Sequence, residues 1–378
     1  MIPLFKVFMS EDVLDPISNV LMSGFIGQGA KVEEFEKLLK KFLKNHLVVT
    51  TNSATSADHL ALQLLRKSFQ DWPGIVEGDE VLATPLTCTA TNWPALAAGY
   101  NLKWVDVDPE TCNMDLDDLE RKISAKTKVI LVVHWGGNPV DLERLKSIQQ
   151  KAKDLYGFKP AIIEDCAHSF GSKFNGARLG NHGNLAFFSF QAIKHFTTGD
   201  GGMLVLPHQE LYKRAKLLRW YGIDRETNSK DFRCEDDILE WGFKFHMNDI
   251  NATLGIHNFP HVAGIIKAHH DNAEYYQKEL SSVPGVTLMK RDPRAYSADW
   301  IYTIKVENRD AFMEHMANKE IMVSRVHERN DKHSCVAEAK SLLPNLNKLS
   351  EEMICIPNGW WVTKKDRKYI VDSIKEGW

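Results

Sequence analysis

The sequence predicts an α/β fold built on a mainly parallel sheet, with a smaller α+β unit at its C-terminal end. Two observations carry this. Over the first two-thirds of the chain, short apolar runs alternate with stretches of helical periodicity, the pattern of strands buried on both faces by crossover helices. After about Phe259 the order changes to helix, short strands, then helix. At 378 residues the chain has room for two to three domains at about 150 residues each. The boundaries read as 1–258 for the large unit and 259–378 for the small one.

In chain order, His46-Leu47-Val48-Val49-Thr50 reads as a strand and Ala57–Leu65 as the helix after it. Glu80–Thr84 and Lys103–Val107 are further strands. Val129–His134 and Ala161–Asp165 follow, separated by the helical stretch Asp141–Lys153. Leu185–Phe190 and Gly202–Leu206 lie close enough in sequence to be antiparallel neighbours. Asp224–Glu240 is polar and charge-mixed, and reads as a long loop. Trp300–Val306 is a strand of the smaller unit.

Composition narrows the function classes. Hydrophobic residues at 43% and charged residues at 26% are globular values, which sets wholesale disorder aside. A net charge of -3 gives no electrostatic reason to expect nucleic-acid binding. No run of about 18 apolar residues is present, so no transmembrane helix is expected. The opening Met1–Lys6 lacks the pattern of a secretory signal. Cys88, Cys112, Cys166, Cys234, Cys335 and Cys355 are scattered without a C-x-x-C pair, which suits reduced thiols in a cytoplasmic protein without a metal site.

Four stretches at or beyond strand ends could carry chemistry, because ligands of α/β sheets sit beyond the carboxyl ends of the strands. Asn52-Ser53-Ala54-Thr55-Ser56 lies between a strand and a helix start, where free N–H groups suit a phosphate; ordinary capping is the competing reading. Asp165 ends an apolar strand, where an acid is costly unless it meets a cation or strong donor, such as a protonated pyridine. Its neighbour Glu164 points to the opposite face and reads as solvated. Lys194 stands in Ser189–Gly202 among apolar residues and glycines. Such surroundings lower a lysine's pKa and favour Schiff-base chemistry, and the glycines would let backbone approach a flat cofactor. In Trp241–Ile250 aromatic residues alternate with Lys244 and His246, as on a half-buried strand with one basic face. An anion site, a strand-end acid, a desolvated amine and a basic strand are together what pyridoxal 5'-phosphate (PLP) requires.

The motif Ser189-Phe190-x-x-x-Lys194-x-x-Thr197-Thr198-Gly199-Asp200-Gly201-Gly202 resembles the lysine motif of the DegT/StrS-type nucleotide-sugar aminotransferases, which are fold-type I PLP enzymes. Ser23–Gly29 with Glu34-Phe35-Glu36, Asn52–Thr55 and Glu164-Asp165-x-Ala167-His168 are similar to further family segments in the same order, so the resemblance spans nearly the whole chain. It implies a seven-stranded sheet and a homodimer with shared active sites. It also implies roles. Lys194 would bind the cofactor aldehyde and move the proton, and Asp165 would pair with the ring nitrogen. His168 would sit by the ring, while Ala54, Thr55 and Ser189 would hold the phosphate.

The chain departs from the family's pattern at three places. Cys88 follows Thr87 where an aromatic residue commonly covers the ring, leaving Trp93 and His168 as stacking candidates. Gly242-Phe243-Lys244-Phe245-His246 stands for Gly-Tyr-Asn-Tyr-Arg, which places Lys244 where an amide reaches the partner's cofactor phosphate. Gly199-Asp200-Gly201-Gly202 stands for Gly-Glu-Gly-Gly. His327 and Arg329 fall near the family's substrate segment and are the sugar-contacting candidates. The implied activity moves an amine from an amino acid, L-glutamate foremost, to a nucleotide-linked 4-keto-6-deoxy or 3-keto sugar for amino-sugar and O-antigen-type glycans. A dehydratase of the same fold, which has histidine in place of the lysine, is the nearest alternative, and a non-catalytic ligand-binding protein is another.

Overall fold

The computed structural model describes residues 1–225 and 237–378. Cys234 and most of the expected loop Asp224–Glu240 therefore lie outside the described residues.

The large sheet has seven strands: β1 (Val48–Thr51), β2 (Glu80–Ala83), β3 (Asn101–Trp104), β4 (Thr127–Val133), β5 (Ala161–Asp165), β8 (Leu185–Ser189) and β9 (Gly202–Val205), in the order β1-β9-β8-β5-β4-β2-β3. Five strands from β8 to β3 pair in parallel, and β9 runs against both β8 and β1. The last two strands are thus the antiparallel neighbours their spacing suggested. β6 (Lys173–Phe174) and β7 (Ala177–Arg178) form a small hairpin that β11 (Ala295–Tyr296) extends.

Strand alternation divides the apolar residues between two cores. Val129 and Leu131 of β4 face one side with Leu60 and Leu64 of α3 (Ala54–Leu65), Ala95 of α4 (Thr89–Ala97) and Leu211 of α7 (Gln209–Leu218). Ile130 and Val132 face the other, with Phe35 of α2 (Ala30–Leu43) and Leu145 of α6 (Leu142–Tyr156). Each such side chain contributes about 1.5–3 kcal/mol on burial, which is why β4 reads as a continuous apolar run. Local chemistry fixes the helix ends. Asp141 accepts the N–H groups of Glu143 and Arg144 at the start of α6, and Gly157, at φ 82°, closes it. Asp115 does the same for α5 (Leu116–Lys122).

Around the large sheet also lie α1 (Leu14–Met22) and α8 (Asp249–Asn258), and then comes the long α9 (Val262–Glu279). A second, three-stranded sheet pairs β10 (Val286–Leu288), β12 (Tyr302–Val306) and β13 (Met353–Ile356) in antiparallel fashion. With it pack α10 (Arg309–Asn318), α11 (Pro344–Glu352) and α12 (Lys364–Lys375). Tyr276, Ile304, Phe312, Ile354 and Ile370 form its core. The first residues of the chain attach here too: Ile2 bridges Ile321, and the Trp361 indole donates to the Pro3 carbonyl.

One element differs from the sequence reading. Gly242–His246 is extended but joins no sheet; Lys244 makes an isolated bridge with Trp220. Asn52 donates its backbone N–H to Phe245 O at 2.7 Å and its side-chain amide to Lys244 O at 3.3 Å. The segment thus pairs with a loop rather than with a strand, so its alternation is real but its ladder is not.

Candidate active site

The sheet brings the candidate residues to one edge. Asp165 ends β5, Ser189 ends β8, and β1 runs into the turn that starts α3. Because β9 is antiparallel, its first residue, Gly202, lies at that edge too. A Cβ on Gly202 would come within 2.5 Å of Ala54 N and of the Ser53 carbonyl carbon. The close approach of that turn is by itself enough to require a glycine at this position.

At that turn Ser53 caps α3 by accepting the Ser56 N–H at 3.0 Å, so capping and anion binding share the segment. The N–H groups of Ala54 and Thr55 have no acceptor among the described residues, and they sit at the positive end of the helix. Ser189 stands nearby in the sheet order, buried, its hydroxyl accepting the Gln191 N–H at 3.3 Å.

Asp165 is buried, and burial raises its pKa. The Ala167 N–H, at 2.8 Å from Oδ1, and the Thr91 hydroxyl, at 2.7 Å from Oδ2, work against that, as do the charges of Lys194 and His134. Thr87 supports Thr91 through a hydroxyl contact of 2.9 Å. Thr91 is a site residue the sequence reading missed, because its partner lies 74 positions away. Glu164 is not solvated as expected. It is fully buried, accepting from His134 Nε2 at 3.0 Å and Asn184 Nδ2 at 2.7 Å. Burial opposes its charge, but these partners still hold its pKa low. His134 Nδ1 in turn accepts the Val140 N–H. Although His134, Glu164 and Cys166 are close enough to suggest a metal, the first two have their ligand atoms committed to one another and to neighbours.

Lys194 is half-buried and has no carboxylate in salt-bridge range among the described residues. Burial pulls its pKa from 10.5 to about 7, with Asp165 and Cys88 opposing the drop. Its Nζ sits 3.4 Å from the centre of the Trp300 ring. Trp300 is held by its indole N–H, which donates to Ile193 O at 2.8 Å, and by stacking on Phe5 at 5.2 Å. Nothing linear in the sequence ties Trp300 to Lys194. His195, by contrast, turns into the protein, its Nε2 2.8 Å from Ala298 O and its ring 4.7 Å from that of His269.

Around Trp300 the rings continue. His168 lies 4.2 Å from it and 5.6 Å from His327, with the two imidazoles nearly parallel at 7°. His168 Nδ1 accepts the Gly136 N–H at 3.3 Å. Burial, joined by the charges of Lys194 and His327, holds His168 far below the ordinary histidine value, so the ring is neutral with its proton on Nε2. His327 is lowered to about 4 by burial and by Lys194, and its Nε2 is buried without a partner among the described residues. The structure thus gathers His168 and His327 with Lys194. Arg329 is engaged elsewhere, its guanidinium holding both Asp331 oxygens at 2.7 Å and Asn347 at 2.6 Å. Trp93, a stacking candidate, lies edge-on to His333 at 5.9 Å. Cys88 stands at the start of α4, within electrostatic reach of Lys194.

The loop carrying His327 is tied to the loop carrying Thr87. Asn330 donates its side-chain amide to Thr87 O at 2.8 Å and its backbone N–H to Pro85 O at 2.8 Å, and accepts from Asn92 Nδ2 at 2.8 Å. Lys244 is exposed, while His246 stacks on Trp220 at 3.5 Å, and burial with nearby cations lowers it to about 4. The two therefore do not form one basic face.

Free N–H groups at a helix start, a buried acid with lone pairs to spare and a lysine whose amine titrates at about 7 fit the phosphate, ring nitrogen and aldehyde of PLP. A model of the DegT/DnrJ/EryC1/StrS aminotransferase family matches residues 8–375. The chain is similar to AtS13 from Actinomadura melliaura, with a TM-score of 0.95 and 49% identity over 100% of this chain and 99% of that one. It is equally similar in fold to the sugar aminotransferase CalS13 from Micromonospora echinospora, at 0.95 and 44%, covering 100% of both chains. The putative sugar aminotransferase Spr1654 from Streptococcus pneumoniae, in its PLP form, matches at 0.89 and 25% over 99% of this chain and 98% of that one.

Proposed function

Because this chain belongs to the DegT/DnrJ/EryC1/StrS aminotransferase family, whose members are PLP-dependent sugar aminotransferases, we propose that it carries an amino group from L-glutamate to the keto carbon of a nucleotide-linked sugar, a 4-keto-6-deoxy or 3-keto hexose. The observation that carries this reading is Lys194: an amine with a pKa of about 7, aromatic on one side, on the sheet edge that ends in Asp165.

When bound, PLP supplies an electron sink that stabilises negative charge at the carbon losing its proton. In this reading the N–H groups of Ala54 and Thr55 and the Ser189 hydroxyl hold its phosphate, and Asp165 keeps the ring nitrogen protonated. Lys194 would hold the aldehyde, and its free amine, with a pKa of about 7, would be the group that takes and returns the proton. A base with a pKa near the ambient pH takes and returns a proton with least loss at either step. Neutral His168 would be a candidate donor to the cofactor through Nε2–H, and His327, with its Nε2 unpartnered among the described residues, would be a candidate for a sugar hydroxyl. Cys88 leaves one side of the ring with a small neighbour. Lys194 in place, with His195 turned away into the protein, favours amine transfer over the dehydratase alternative.

The experiment is direct. Purified enzyme with PLP and L-glutamate is offered a panel of UDP-, GDP- and dTDP-linked 3-keto and 4-keto sugars, and 2-oxoglutarate is followed. Stoichiometric 2-oxoglutarate and amino-sugar with at least one nucleotide sugar is expected. Turnover of keto acids alone, with every nucleotide sugar inert, overturns the proposal.

A further inference from the structure

Both neighbours of Lys194 are held by one short segment of the chain. Ile193 accepts the Trp300 indole N–H on its carbonyl at 2.8 Å, and His195 gives Nε2–H to the Ala298 carbonyl, also at 2.8 Å. The Trp300 ring itself lies 3.4 Å from the Lys194 amine. Residues 298–300 therefore splint the lysine from before, from behind and from the side. The residue at their centre is Asp299, which has no role in the mechanism above.

Asp299 has a backbone that L-residues seldom adopt. Its φ is 51°, in the left-handed region, which aspartate tolerates better than most because its short polar side chain bonds locally. Such a conformation persists where its surroundings over-determine it. Here four side chains donate to a residue that is only 5% exposed. The Asp299 carbonyl accepts from His269 Nδ1 at 3.1 Å and Asn358 Nδ2 at 2.5 Å. Its carboxylate accepts from His270 Nδ1 at 2.8 Å and Arg291 Nη2 at 3.0 Å. The two histidines come from α9, Asn358 from just beyond β13 and Arg291 from just beyond β10, three separate pieces of the chain. The hydrogen bond to Asp299 raises the His270 pKa, as expected of an imidazole that donates to a carboxylate.

We propose that Asp299 is a positioning residue for the reactive lysine: by locking residues 298–300 it keeps the Trp300 ring on the Lys194 amine and the Lys194 backbone fixed through Ile193 and His195. His195 is then a strut of the lysine rather than a second base. The inference rests on Lys194 being the amine that takes the cofactor aldehyde. Without the Asp299 carboxylate the segment keeps only its carbonyl bonds, the ring leaves the amine and water enters. The titratable groups that face the amine, Asp165, Cys88, His168, His195 and His327, stay as they are, so the change is one of solvation. Departure of the ring also removes an attraction to the charged amine, which acts the other way. It is the weaker effect, because burial is what brings the amine from 10.5 to about 7.

The test reads the amine in the full-length apoenzyme. Acylation of Lys194 by an amine-directed reagent is followed against pH by peptide mass spectrometry, with a parental midpoint expected at about 7. Asp299→Gly accepts the left-handed backbone and drops the carboxylate. It should raise the midpoint by about one pH unit or more, which is about ten-fold less free amine at about pH 6. Asp299→Asn tolerates the same backbone and keeps an acceptor oxygen, and should stay within about three-fold of the parent. A folded Asp299→Gly with the parental midpoint overturns the proposal. Where Asp299→Gly does not fold, His270→Phe combined with Arg291→Met removes both donors to the carboxylate at half-buried positions, and a parental midpoint in that variant overturns it equally. The two readings fail differently. If the parent's own midpoint lies at 10.5, or borohydride fixes PLP onto another lysine, the reading of Lys194 falls and this inference with it. If the parent titrates at about 7 and the variants leave it there, the inference on Asp299 alone falls.

Discussion

Replacing Lys194 by methionine should make the cofactor-free protein more stable at neutral pH. Methionine keeps the length of the side chain and removes its charge. In the folded chain the Lys194 amine titrates at about 7, against 10.5 for an ordinary lysine, the value it has in the unfolded chain. Between these values the unfolded chain binds more protons, so stability rises with pH. The contribution is fully present above about 10.5 and is lost as the pH falls through about 7. The distance from 10.5 to about 7, at about 1.36 kcal/mol for each pH unit, sets a ceiling of about 5 kcal/mol. Solvent at the half-buried amine trims this to about 2–4 kcal/mol. At about 2.1 cal/mol/K per residue, 378 residues give an unfolding entropy of about 0.8 kcal/mol/K, so Tm should rise by about 3–5 °C. The assay is calorimetry of apoenzyme and variant in matched buffers near about pH 6.5 and about pH 10. Their difference cancels the other titrating groups. A Tm gap that is the same at both pH values would refute the claim that Lys194 is desolvated.

Three further outcomes are expected. Asp165→Asn should slow both half-reactions by at least about 100-fold with little change in Tm, since an amide cannot hold a proton on the ring nitrogen; stopped-flow absorbance with glutamate checks this, and near-parental rates would make Asp165 a structural cap. Trp300→Ala should admit water beside Lys194 and move its pKa from about 7 toward 10.5; the pH dependence of Lys194 modification in the apoenzyme reads this, and an unmoved midpoint would show that Trp300 does not seal the amine. Lys244→Ala should weaken PLP binding by about ten-fold or more if its ammonium reaches the partner's cofactor phosphate. Co-expression with Lys194→Ala would then restore activity in hybrid dimers, whereas a same-chain contact would leave every hybrid site defective.

The sheet, its strand order at β8 and β9 and the family motifs are legible because each is written in consecutive residues. Lys194, Asp165 and the turn before α3 follow from strand ends and small residues, and the structure brings all three to one edge. What escapes is what the fold assembles from distant parts. Trp300 lies 106 positions after Lys194, and its place beside the amine depends on how the chain returns from the second sheet. Alternation puts Glu164 on the right face but in the wrong environment, because its partners His134 and Asn184 come from two separate segments. Gly202 stands out in the sequence, but the backbone it admits, Ser53–Ala54, shows only in the fold. His246 alternates with Lys244 in sequence, yet stacking on Trp220 removes it from any basic face.

The Asn330 amide joins two walls of the cleft into one body. One bears His327, and the other runs through Thr87 to Thr91 and Asp165. A designer who grafts a relative's 324–333 segment to change the sugar accepted would also disturb the support of the acid under the cofactor. Selectivity and electron withdrawal are mechanically linked here, and should be exchanged between homologues as one cassette that includes residues 84–92.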